Sequence, residues 1–211
     1  MVRWRRAAPV CHTARMAEYD ARTALIVVDM QNDFADPAGS LSVRGGHEII
    51  EALNREIARA AAGGAMIVYS QDWHPPHTPH FATDGGTWPV HCVGGTWGSG
   101  FHPELTVIEG APVIRKGTGG EDGYSAFSVR DPESGEVGAT ELEGLLRAAG
   151  VQRLVIGGLA TDYCVLETAL DALRLGFEVE VPRDLVRAVD LQPGDGDRAL
   201  EAIAAAGGVV R

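Results

Sequence analysis

Apolar residues come in short unbroken runs, and the stretches between the runs carry helical spacing. Ala24 to Val28 is wholly aliphatic or β-branched, and Ala65 to Tyr69, Val113 to Arg115 and Arg153 to Ile156 are mostly apolar. Runs of this length read as strands covered on both faces. Phe177 to Val181 is interrupted by Glu178 and Glu180, which predicts a fifth, less buried strand. From His47 to Ala62, Ile49, Ile50, Leu53, Ile57 and Ala60 recur at helical spacing and Gly63-Gly64 ends the pattern. Further helices are predicted over 141–149, 165–175 and 195–206, the first two closed by Gly150 and Gly176. Val209-Val210 reads as an edge strand. Alternating strands and helices imply parallel pairing with right-handed crossovers. The expected fold is a three-layer α/β/α arrangement on a mostly parallel sheet of about five to six strands.

Two long stretches fall outside this alternation. Residues 71–112 are rich in Pro, Gly, His and Trp, and 117–138 are rich in Gly and acids. Structureless segments of that length inside a domain are usually functional. Met30 to Phe34 reads as the opening of a loop, followed by turn chemistry at Asp36-Pro37-Ala38-Gly39. No internal linker or repeat divides the chain, so residues 21–211 are expected to form one domain. Residues 1–20 read as a poorly ordered extension. Their beginning carries Arg3, Arg5, Arg6 and Arg15 but no apolar core of a secretory signal, and Met16 is a plausible start. On this reading Trp4 stays out of the core.

Charge narrows the partners. Eighteen basic side chains face 29 acidic ones, a formal net charge of −11. That argues against nucleic acid and anionic membranes as partners. Three unevenly spaced cysteines, Cys11, Cys92 and Cys164, make no disulfide framework and favour a reducing, cytoplasmic setting. No apolar run is long enough to span a bilayer. No G-x-G-x-x-G joins the first strand to the first helix, so no nucleotide cofactor is expected.

Three polar residues stand at strand ends: Asp29, Lys116 and Cys164. A parallel sheet collects its carboxyl ends into one crevice. Cys164 lies where a strand turns into a helix, near the positive end of the helix dipole, where a thiolate is favoured. Such a thiol is expected to alkylate well below the pH of a free cysteine, about 8.5. Asp29 could take and return its proton while Lys116 steadies both. A second group, Asp72, His74, His80 and His91, offers one carboxylate and three imidazoles to a zinc, iron or manganese ion. His77 and His102 lie in the same stretch, so spacing alone leaves the ligand set open.

Several segments together resemble the nicotinamidases, within the isochorismatase-like cysteine hydrolases. They are Val27 to Phe34, Gln71 to His74, His80-Phe81, Trp88 to Cys92, Arg115 to Gly117, Tyr124 to Phe127 and Gly157 to Val165. In order, they span roughly residues 22 to 210. The resemblance implies an isochorismatase-like hydrolase fold and a triad of Asp29, Lys116 and Cys164. It selects Asp72, His74, His80 and His91 as ligands of one divalent metal ion and leaves out His77 and His102. It implies a cis peptide before Ala160, with an oxyanion hole made by the backbone N–H groups of Ala160 and Cys164. Phe34, Trp88, Tyr124 and Leu159 are expected to line the substrate pocket, and Cys92 to point away into packing. The implied reaction is hydrolysis of nicotinamide to nicotinate and ammonia through a cysteine thioester, with pyrazinamide as a further substrate. It belongs to NAD salvage, and homo-oligomerisation follows by analogy. The alternatives are a related cysteine hydrolase acting on another small amide or ureido compound, and a metal-binding scaffold without catalysis. The stretch from Gly119 to Gly123 has no predictable conformation, and Tyr163 leaves the pocket shape open.

Overall fold

In the computed structural model, residues 19–211 are described. The expectations for the leader, Trp4 included, therefore lie outside the described residues up to position 18. Tyr19 and Asp20, assigned to the extension, belong to the fold instead. The Tyr19 hydroxyl donates to Glu56 Oε1 at 2.8 Å, and its ring packs against the apolar cluster around Leu25.

Strand β1 (Thr23–Val28) is fully buried, as its unbroken apolar run predicts. Its side chains alternate between two cores. Ala24, Ile26 and Val28 join a cluster with Leu142, Leu146, Val165, Ala169, Leu200 and Ile203. Leu25 and Val27 face the other way, toward Ile49, Leu53 and Ile57. These are the two helical layers of the sandwich. The first contains helices α3 (Leu142–Ala148), α4 (Leu166–Arg174) and α5 (Asp195–Ala205). The second contains α2 (Ile50–Ala62), entered through a 3₁₀ turn at Gly46–Ile49.

The sheet runs β3 (Val113–Lys116), β2 (Met66–Asp72), β1, β6 (Arg153–Leu159), β7 (Glu178–Val181) and β9 (Val209–Val210), with β8 (Val186–Arg187) pairing β6. Every one of these pairings is parallel. The chain builds outward from β1 in one direction through β2 and β3, then returns to its other side with β6. The switch point where ligands bind in such sheets therefore lies between the carboxyl ends of β1 and β6.

Several elements depart from the sequence pattern. The loop expected after Asp29 contains a short buried helix, α1 (Asn32–Ala35). Strand β2 continues past Tyr69 to Asp72, and β6 past Ile156 to Leu159. The seven-stranded sheet exceeds the expected count because β8 is only two residues long, too short to show a period. The 117–138 stretch is not wholly irregular: β4 (Ser128–Arg130) and β5 (Val137–Ala139) form a separate antiparallel hairpin. Strand β7 is less buried than β1, as its alternation suggested, with Glu178 exposed. It lies between β6 and β9, and Glu180 is buried because its carboxylate pairs with Arg211. Burying a carboxylate is tolerable when a guanidinium meets it.

Candidate active site and metal centre

Four strand ends supply the site. Asp29 follows β1, Asp72 closes β2, Lys116 closes β3, and Cys164 lies just beyond β6. Asp29 adopts a left-handed backbone, φ 49°, a conformation that Asp tolerates better than most residues. Its Oδ1 accepts from the Ser70 hydroxyl at 2.7 Å. In the β2–β3 register Asp72 stands opposite Lys116. Gln31 holds the end of β2 from the side: its amide nitrogen donates to the Asp72 carbonyl at 2.7 Å and its amide oxygen accepts from the Asp72 N–H at 2.8 Å. Cys164 sits in a π turn, Thr161–Val165, that runs directly into α4. π turns inside helices occur frequently at functional sites.

Lys116 joins these groups. Its fully buried Nζ lies 2.7 Å from Asp29 Oδ2, 2.7 Å from Asp72 Oδ1 and 3.6 Å from Cys164 Sγ. Burial alone would discharge the ammonium, but the two carboxylates push its pKa well above the ordinary lysine value. Burial also opposes charge on Asp72, yet Lys116 and the neighbouring His74 and His91 leave its pKa well below the usual carboxylate range. Asp29 goes the other way. Its burial outweighs Lys116, and the charge on Asp72 adds to the upward shift. The Cys164 thiol is pushed well up by burial, with Lys116 pulling down and the two carboxylates pushing up. Burial and the two acids thus act against the thiolate that the helix end favours. The helix-end field acts on a buried sulfur that also faces two acids.

The histidines form the second half of the site. His74, His80 and His91 are buried, and each presents a ring nitrogen within 4.8 Å of the others. Nε2 of His74 and Nε2 of His91 each lie 3.6 Å from Asp72 Oδ2. The other ring nitrogens of two histidines are already engaged: His91 Nδ1 with the Pro89 carbonyl at 2.7 Å, and His80 Nδ1 with Asp122 Oδ1 at 2.6 Å. Both nitrogens of His74 are buried without a hydrogen-bond partner. Buried ring nitrogens without partners are unfavourable unless something else binds them. Three converging imidazoles beside a carboxylate fit a divalent cation of the zinc, iron or manganese kind. His77 is exposed, and His102 sits by Asp36, its Nε2 3.7 Å from the Asp36 carboxylate.

A cavity joins the two halves. It is lined by Phe34, Trp88, Tyr124, Ala160 and Cys164, with Asp72, His80 and His91 on its other side. Leu159 is a correction: it is fully buried and does not line the cavity. As the last residue of β6 it turns into the cluster with Leu25, Leu53 and Ile49. Its neighbour Ala160 faces the cavity, and the Leu159–Ala160 peptide is cis. Tyr163, Leu41 and Val189 complete the lining. Tyr163 meets Trp88 edge-on at 4.9 Å, and Trp88 Nε1 donates to the Tyr124 hydroxyl at 2.8 Å. Burial pushes the Tyr124 phenol up to about 12. Cys92 packs inward as expected, its N–H donating to Asp33 Oδ2 at 2.7 Å. Sequence reading did not find Leu41, Val189, Ser70 or Asp122, because each reaches the site from a loop or strand with no motif of its own.

The isochorismatase domain pattern matches residues 23–211. The nicotinamidase of Escherichia coli is 38% identical over 200 residues, covering 87% of this chain and 92% of that protein. A pyrazinamidase of Pyrococcus horikoshii, solved in complex with zinc, is 42% identical with a TM-score of 0.80, covering 90% of this chain and 98% of that one. A structure from L. infantum in complex with nicotinate is 36% identical with a TM-score of 0.81, covering 92% of this chain and 95% of that one.

Proposed function

Because the chain belongs to the isochorismatase family, we propose that it is a metal-dependent nicotinamidase that also hydrolyses pyrazinamide. The observation that carries this reading is Lys116 Nζ set between Asp29 and Cys164, with Cys164 lining an aromatic cavity that His80 and His91 also line. A flat heteroaromatic amide suits walls made by Phe34, Trp88 and Tyr124.

The substrate ring lies among these aromatics, with its amide carbon over Cys164 Sγ. The thiol proton passes to Asp29 as the sulfur attacks. A carboxyl group whose pKa is raised by burial is the better base for a thiol. Lys116 stays charged throughout, compensating Asp29 before the transfer and the developing negative charge after it. The backbone N–H groups of Ala160 and Cys164 donate to the oxyanion of the tetrahedral intermediate. Asp29 then returns the proton to the leaving nitrogen, ammonia departs, and the acyl group remains on sulfur as a thioester. Water attacks the thioester with Asp29 again taking a proton, which is handed back to Cys164 as nicotinate leaves. Asp72, His74, His80 and His91 would hold the divalent ion, which supplies Lewis acidity for orienting the substrate ring and lowering the pKa of bound water. Such chemistry serves NAD salvage in the cytoplasm.

The test is ammonia release from nicotinamide and pyrazinamide by the purified protein and by Cys164→Ala. Turnover of both amides that disappears in the variant is expected. A protein that ignores nicotinamide but cleaves another small amide would overturn the substrate assignment, and full activity in Cys164→Ala would overturn the nucleophile.

A further inference from the structure

His91 and His80 both have Nδ1 occupied, but by different kinds of acceptor. His91 uses the carbonyl of Pro89, two residues back on its own loop. His80 uses the carboxylate of Asp122, which reaches it from the segment after Lys116 at 2.6 Å. We propose that Asp122 is a positioning residue for the metal ligand His80: it fixes the Nδ1–H tautomer and turns Nε2 toward Asp72, His74 and His91. This rests on the metal reading above.

A carboxylate can only accept, so His80 Nδ1 must carry the proton and Nε2 keeps its lone pair. Imidazole ligands whose far N–H meets a carboxylate are oriented and made more basic. The approach is built from both ends. The Thr78 hydroxyl donates to the Gly120 carbonyl at 2.7 Å and accepts from the His80 N–H at 3.2 Å. That ties the Asp122 segment to the loop carrying His80. On the other side, the Asp122 N–H donates to the Arg130 carbonyl at 2.7 Å and the Arg130 N–H donates back at 2.9 Å. Arg130 ends β4, so the β4–β5 hairpin, which stands apart from the main sheet, holds the Asp122 backbone in place. The same segment presses on the neighbouring ligand. A Cβ on Gly117, which has φ 77°, would meet His74 Nδ1 at 2.7 Å. The stretch without predictable conformation thus carries the carboxylate that meets His80.

The test is zinc affinity of the metal-stripped full chain, measured by competition with a chromophoric chelator. Asp122→Ala is expected to bind zinc about 10–100-fold more weakly than wild type. Asp122→Asn, which keeps an acceptor oxygen, should lose less, and it carries the measurement if the alanine variant fails to fold. In a His80→Ala background, adding Asp122→Ala should cost nothing further, because the residue it positions is gone. Wild-type affinity in both Asp122 variants would overturn the proposal alone, as would an undiminished loss in the His80→Ala background. A wild-type chain that takes up no zinc would overturn the metal reading with it.

Discussion

Lys116 is the residue on which the electrostatics of the site depend. Removing it leaves Asp29 and Asp72 buried side by side without a cation. Lys116→Met should therefore destabilise the fold by about 3–5 kcal/mol, the cost of leaving a buried charge without its partner. Urea denaturation measures this, and Cys164→Ala should show no comparable loss. The thiol gives a second prediction. Burial and the two carboxylates raise the Cys164 pKa, so the pH midpoint of its alkylation should lie above the free-thiol value of about 8.5. Asp29→Asn removes one of the charges that raise it, and the midpoint should move down. A wild-type midpoint below that of a free thiol would show that the helix end governs the sulfur after all.

The elements place these residues through close approaches that few sequences permit. Gly158 in β6 has φ 123°, and a Cβ there would lie 2.0 Å from the Val28 carbonyl oxygen. Val28 is its partner in the β1–β6 ladder and immediately precedes Asp29. Gly158→Ala must therefore strain its own backbone or push β1 away, moving Asp29 relative to Cys164. The strained conformation alone costs about 1–3 kcal/mol. The expected outcome is a lower urea midpoint with a still larger loss of amide hydrolysis. Unchanged stability would mean that the strands can part without cost. The Gly157-Gly158 pair was visible in the sequence as part of a family motif, but the motif does not say which backbone it must clear.

At the scale of the whole molecule, the first described residues are tied to the second helical layer. Tyr19 donates to Glu56, and burial followed by the Glu56 charge raises its phenol pKa above the ordinary value. The sign follows directly. The folded chain keeps a proton that the unfolded chain gives up above about pH 10, so stability is present below that pH and is lost as pH rises beyond it. Tyr124 acts in the same sense, with its phenol at about 12. In Tyr19→Phe the alkaline fall in stability should be shallower by one proton's slope, read from urea midpoints between about pH 9 and 11. Metal acts on the whole chain as well. A ligand that binds only the folded state raises its stability by mass action, so zinc should raise the Tm of the stripped protein and a chelator should reverse the gain. No Tm response to zinc would count against the cluster at His74, His80 and His91. No helix among the described residues is long and apolar enough to cross a membrane.

The sequence by itself determined the layers of the fold and the strand ends at which polar residues stand. Apolar period is a local property, and a parallel sheet brings its carboxyl ends to one edge whatever its loops do. Asp29, Lys116 and Cys164 were legible for that reason. Family motifs picked His80 and His91 out of a loop where spacing alone could not. What the tertiary structure decided is everything that depends on distance between remote segments. It set Lys116 between two acids, turned Leu159 into the core while Ala160 faced the cavity, and buried Glu180 against Arg211. It also brought Asp122 onto His80 and set burial and two acids against the thiolate at Cys164. Burial and charge proximity are sums over neighbours distant in the chain, and no local pattern of residues carries them.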